Sequence, residues 1–194
     1  ARAPVTRTAP VQAVAEAQGT LDDPIRLRPG QTIDLGEIVD PESAAANAAA
    51  NAARLRATDA SYQRTLANQP IGYDQGSYWR QWAAINTDEL PSQGWKLHVS
   101  AQVGNADQVA EAVLPVLQAR RIPHKVVRDV ATYEGAVSRP GNTQAGKFIT
   151  VYPRNDAEAR EIAATLRQAI QGRGFSRDDF IPVPGEEYAG PGIY

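Results

Sequence analysis

The chain has 194 residues, 42% of them hydrophobic, enough for one domain with a hydrophobic core plus a tail. Its net charge of -2 gives no general drive toward nucleic acid or an anionic membrane, and no apolar run reaches the roughly 18 residues that span a bilayer. Cysteine is absent, which excludes disulfides and cysteine-ligated metals. The chain starts at Ala1 with no signal-type apolar segment, so it is expected to be a processed chain or a piece of a longer one.

In chain order, residues 1–39 are rich in Pro, Ala, Thr and Arg and read as a loosely attached arm. Residues 41–58 are good helix formers behind Pro41. Their apolar positions are nearly all Ala, so the preferred reading is low complexity and the alternative a weak surface helix. The expected division is an arm over 1–60 and a domain over 61–194. Tyr62, Tyr73, Tyr78, Trp79 and Trp82 then cluster as core or lid; a stacking platform for nucleic acid lacks the surrounding positive charge.

Gly94-Trp95-Lys96-Leu97-His98-Val99-Ser100 alternates with period two and predicts a strand. Trp95, Leu97 and Val99 would share one face, Lys96 and His98 the other. Asn105, with Gln108 three residues on, predicts a capped helix to about Arg121, with Val109, Val113, Val116 and Leu117 on one face and a kink at Pro115. Pro123 leads into a strand over His124-Lys125-Val126-Val127. Residues 129–145 read as loop. A third strand spans Lys147 to Tyr152, followed by a helix capped by Asn155 with Ile162, Leu166 and Ile170 on one face, closed by Gly172 and Gly174. Residues 180–183 suggest one more short strand. Two strand–helix units in tandem predict an α+β fold, a small sheet with helices packed on one face. The opposite face would carry Lys96 and His98, with Lys125 a candidate for the same side.

No phosphate loop, His-Glu-x-x-His or nucleophile elbow is present, and the two histidines have no cysteines or patterned carboxylates to complete a zinc site. The 20 basic residues divide into 17 Arg and three Lys: Lys96, Lys125 and Lys147. A lysine amine can lose its proton when desolvated, whereas a guanidinium effectively cannot. Lys96, His98, Lys125 and Arg139, with Arg128 and Lys147 nearby, form a cationic set suited to a phosphate dianion. An imidazolium can protonate a leaving oxygen, and a lysine crowded by cations can act as a base. On spacing alone the competing account is a structural histidine and solvated surface cations.

The stretches 94–100, Lys125-Val126-Val127-Arg128-Asp129 and Gly146-Lys147-Phe148-Ile149-Thr150-Val151-Tyr152-Pro153 closely resemble the lyase domain of class III lanthipeptide synthetases, which is related to the phosphothreonine lyase effectors of bacterial pathogens. The resemblance covers residues 78–194. It implies elimination of phosphate from phosphoserine or phosphothreonine, to dehydroalanine or dehydrobutyrine, with no metal or organic cofactor. Lys125 would be the general base, His98 the general acid, Lys96 would steady the developing negative charge or the phosphate, and Arg139 would hold the phosphate. Lys147 would be a further phosphate ligand, and Arg128 either another or the partner of Asp129.

The implied partner is a phosphorylated peptide or protein, with no nucleic acid or membrane. The setting is cytoplasmic peptide maturation or, alternatively, that of a secreted effector. The family's closing Tyr-Arg-Tyr-Gly strand, whose arginine helps to hold phosphate, is expected to begin where this chain stops, at Tyr194. Two other classes remain open: a non-catalytic module that binds phosphopeptide or leader peptide, and an interaction protein that docks through its Ala-rich arm and Tyr/Trp segment.

Overall fold

The structure, a computed structural model, describes residues 41–86, 88, 90–91 and 94–194, and within the first forty residues only the strands β1 (Thr6–Thr8), β2 (Val14–Ala15), β3 (Ile25–Arg26) and β4 (Thr32–Asp34). The expectation of an arm over 1–39 therefore lies mostly outside the described residues. Two compact units divide at residues 51 and 52. In the first, β1 pairs with β4 and β2 with β3, both antiparallel.

Helix α1 (Pro41–Ala67) forms where low complexity was preferred. Pro41 opens it with a preset φ, Glu42 complements the dipole in the first turn, and the Ala run costs little side-chain entropy. Residues 41–51 are exposed, as an all-Ala face predicts. The buried positions, Thr58, Tyr62, Thr65 and Leu66, come at its far end.

The second unit is built on a five-stranded sheet in the order β5-β6-β8-β9-β7, with every pairing antiparallel: β5 (Tyr73–Asp74), β6 (Trp79–Trp82), β7 (Leu97–Val99), β8 (His124–Val127) and β9 (Ile149–Val151). The expected α+β arrangement is present. One face is packed by helices. Gln118 of α2 (Ala106–Ala119) accepts from Trp82 Nε1 and donates to the Tyr73 hydroxyl, and α4 (Asp156–Gly172) lies against α2. Val109, Val113, Leu114 and Leu117 of α2, with Ile162, Leu166 and Ile170 of α4, are buried in this core. Asn155 caps α4 as expected, its side chain accepting from the Glu158 amide.

Several local expectations are corrected. Asn105 makes no side-chain cap for α2; it ends a short 3-10 turn, and its amide instead donates to the Asp179 carbonyl at 2.8 Å. Residues 130–137 form helix α3 (Val130–Val137), where a loop was expected. Asp129 caps it by accepting from Thr132 N, and the loop reading follows from Gly135, Pro140 and Gly141. Residues 180–183 form no strand, although Phe180 and Val183 are buried.

Strand β7 begins only at Leu97, so the alternation fails before it. Trp95 is 55% exposed, not in the core, and its indole N–H donates to Asp156 in the first turn of α4 at 2.7 Å.

Candidate functional site

The sheet register sets the site. Gln81 pairs with Lys125, Lys125 with Thr150, and Thr150 with His98. Residues directly opposite on neighbouring strands point to the same face, so Lys125, Thr150 and His98 form one row on the face away from α2. Strands lie about 4.8 Å apart, so Lys125 and His98 stand about 10 Å apart at the backbone, with Thr150 between them. Tyr194 extends the row. Its amide donates to the His98 carbonyl and its carbonyl accepts from the His98 amide, at 3.0 and 2.8 Å. At one end the face is closed by Phe148, whose ring meets Tyr62 of α1 and Tyr133 of α3.

His98 lines a cavity of about 510 Å³ together with Trp95, Lys96, Lys147, Glu186, Glu187 and Tyr194. Its Nδ1 contacts Glu186 Oε2, and Glu186 Oε1 takes Lys147 Nζ at 2.7 Å. A carboxylate only accepts, so His98 Nδ1 carries a proton. Burial pushes the imidazole below its ordinary pKa, with Lys147 and Lys125 adding to it, and Glu186 opposes them incompletely. Burial acts to raise the Glu186 carboxyl, but the hydrogen bonds from Lys147 and His98 together hold it below the usual range.

Lys125 Nζ lies 4.4 Å from the Trp79 ring centroid and 5.9 Å from that of Tyr152. Burial lowers its pKa first, and the charges of Lys96 and Lys147 add to this. Tyr152 lines a neighbouring cavity of about 300 Å³, which shares Gly94, Trp95 and Lys96 with the first. Lys96 thus borders both spaces. Thr150 is 2% exposed, and its Oγ1 has no hydrogen-bond partner among the described residues. A buried hydroxyl left unpaired costs stability unless something else satisfies it.

His98, Lys96 and Lys147 are therefore brought to one cavity, with Lys125 beside them on the same face. Arg128 and Arg139 are not. They line a separate cavity of about 630 Å³ with Asp59, Tyr78 and Asp129. Arg128 is already engaged: Nε donates to Asp129 at 2.6 Å, and its other nitrogens donate to the Ser77 carbonyl and Thr132 Oγ1. Of the two roles left open for Arg128, the geometry supports pairing with Asp129.

Glu186 was missed by the sequence reading. It is 88 residues from His98, in a turn-rich tail without periodicity, and no local signal marks it. Among the described residues no cluster of three or more His, Asp or Glu could hold a metal, and no helix is long and apolar enough to cross a membrane.

The fold and site define a class: a small antiparallel α+β domain with a cavity on one sheet face lined by Lys96, Lys147, His98, Glu186 and Glu187. The chain belongs to the family described as the RamC N-terminal domain, which matches residues 60–176. The relationship to class III lanthipeptide synthetases drawn from the three motifs is borne out. A probable SapB synthase of Streptomyces coelicolor is 30% identical over 103 residues, which cover 47% of this chain and 10% of the synthase, so the chain spans about a tenth of that protein. A solved structure, described as the structural basis for the catalytic mechanism of phosphothreonine lyase, is 13% identical and covers 54% of this chain and 52% of that one at a TM-score of 0.34. A likeness at that level has no bearing on function.

Proposed function

We propose that the domain is a lyase-like module of peptide maturation and that it removes phosphate from a phosphoserine or phosphothreonine side chain by β-elimination. The family supports the setting, since the curated relative is a probable SapB synthase. The observation that carries the chemistry is the single row of Lys125, Thr150 and His98, with cationic Lys96 and Lys147 at its edge.

In this reading Lys125, its amine favoured in the neutral form by burial and two neighbouring lysines, takes the α-proton. The Cα–H electron pair becomes the new C=C bond. The Cβ–O bond breaks, its pair stays on the bridging oxygen, and a proton from His98 completes the departing phosphate. Lys96 and Lys147 hold the phosphate oxygens. In the free protein His98 is held toward neutrality by burial. A phosphate dianion beside it favours the imidazolium, so substrate helps to charge its own acid. Arg128 and Arg139 play no part in this reading, because they line another cavity.

The test is mass spectrometry of a phosphothreonine peptide after incubation with the protein, followed by thiol addition. The expected product has lost phosphoric acid and takes up the thiol at the new double bond. A product with its hydroxyl restored would make the protein a phosphatase, and an unchanged peptide would overturn the reading.

A further inference from the structure

We propose that Glu186 is a positioning residue for His98: its carboxylate holds the ring by Nδ1, which leaves Nε2 as the atom presented to a phosphorylated substrate. The proposal rests on the reading of His98 as proton donor, and it adds a residue that the three motifs do not contain.

Both oxygens of Glu186 are committed, one to the His98 ring and one to Lys147 Nζ at 2.7 Å. A single carboxylate thus fixes the proposed acid and a proposed phosphate ligand relative to each other. Its backbone is fixed as well. The Glu186 amide donates to the Val183 carbonyl across Pro184-Gly185, and Gly185 has φ of 76°. Proline at the second position and a positive-φ glycine at the third are the signature of a type II turn.

The other side of His98 is held by the paired backbone of Tyr194. His98 Nε2 makes no hydrogen bond among the described residues, in contrast to His124. There Nδ1 donates to the Ile122 carbonyl at 2.7 Å, and Nε2 accepts from the Tyr73 hydroxyl at 2.8 Å. Both rings are fixed through Nδ1–H; only in His98 is the second nitrogen left for another molecule. The charged and titratable groups around His98 are Glu186, Lys147 and Lys125, with Lys96, Glu187, Tyr188 and Tyr194 along the same cavity.

The experiment is ring ¹⁵N NMR of the full chain across pH 5–8, in wild type, Glu186→Ala and Glu186→Gln. Burial holds His124 down at about 4, so its ring stays neutral across this range and does not obscure the His98 tautomer. The wild type should show the Nδ1–H tautomer. Glu186→Ala should shift His98 toward Nε2–H and lower kcat at least tenfold, with a smaller change in KM. Glu186→Gln keeps an acceptor, so it should retain Nδ1–H and recover part of the rate while the His98 pKa falls; it also serves if the Ala variant does not fold. Glu187→Gln, which removes a charge from the same cavity, should leave the tautomer as it is.

An unchanged tautomer in Glu186→Ala would overturn the proposal. So would a faster variant with tighter inorganic phosphate binding, which would make Glu186 a competitor for the phosphate position. A tautomer switch in a protein that never eliminates phosphate would keep Glu186 as the positioning residue and remove only the lyase reading.

Discussion

The two faces of the sheet carry adjacent rows with opposite fates. On the helix-covered face His124 stacks on Trp82, and every polar atom of its ring is paired with Tyr73 or the Ile122 carbonyl. One residue along the same strand, on the other face, Lys125 lies under Trp79 and shares its row with the unpaired Thr150 hydroxyl and with His98. The same strand supplies a closed polar network and an open one. Burial of a histidine therefore does not separate structure from chemistry, since both histidines are buried. What separates them is whether the second ring nitrogen is paired inside the protein.

The comparison can be broken by substitution. Lys125→Ala should lower elimination by a hundredfold or more, the usual scale for a lost general base, while the melting temperature hardly moves, because the amine is only half-buried. Phe148→Ala should do the reverse. Its ring is fully buried between Tyr62 and Tyr133, and its loss should cost about 3–5 kcal/mol in urea unfolding. Equal loss of stability in both variants would erase the distinction between the open row and the packed end that Phe148, Tyr62 and Tyr133 close on the same face.

A pH series sharpens it. Burial holds His124 at about 4, well below its unfolded value near 6.5. In that window the unfolded chain binds more protons than the folded one, so stability rises with pH. His124 contributes its full share above pH 6.5 and loses it as pH falls toward 4, by an amount on the order of 3 kcal/mol. Asp129 and Glu186 also have lowered pKa values, and their shares fade at lower pH still, below the ordinary carboxylate range. Urea unfolding at pH 7 and pH 4.5 measures the share of both histidines, since burial lowers His98 as well, and His124→Phe should shrink the difference by the His124 part.

The smallest expected effect separates the lysine-lined cavity from the arginine-lined one. Lys147→Ala should weaken inorganic phosphate binding severalfold in calorimetry, whereas Arg128→Ala should change it little and instead loosen α3 through Asp129 and Thr132. Equal losses would mean that phosphate bridges both cavities.

Much of the sheet could be read in advance. Strand β8 was predicted residue for residue, because Pro123 and a compact Val-rich run mark it from both sides. Helix α4 followed from Asn155, Glu158 and the Ile162-Leu166-Ile170 stripe. Two separate strands leave the common face of His98 and Lys125 open; it holds because β9 lies between β7 and β8 in a register that aligns Thr150 with both.

Trp95 was misread because alternation continues in the sequence past the point where strand pairing stops. Glu186 carries no local signal, since its partners, His98 on β7 and Lys147 just before β9, are distant in sequence and only a tertiary turn brings it back. Arg139 belonged to the expected phosphate set both as a cation in the same stretch of chain and by resemblance, and the fold carries it to α3's side with Arg128.

The most direct measurement uses a phosphothreonine peptide deuterated at Cα. If Lys125 removes the α-proton as phosphate leaves, every peptide that loses phosphate also loses its deuterium, and the reaction slows relative to the protonated peptide. A dephosphorylated peptide that keeps its deuterium would contradict the account.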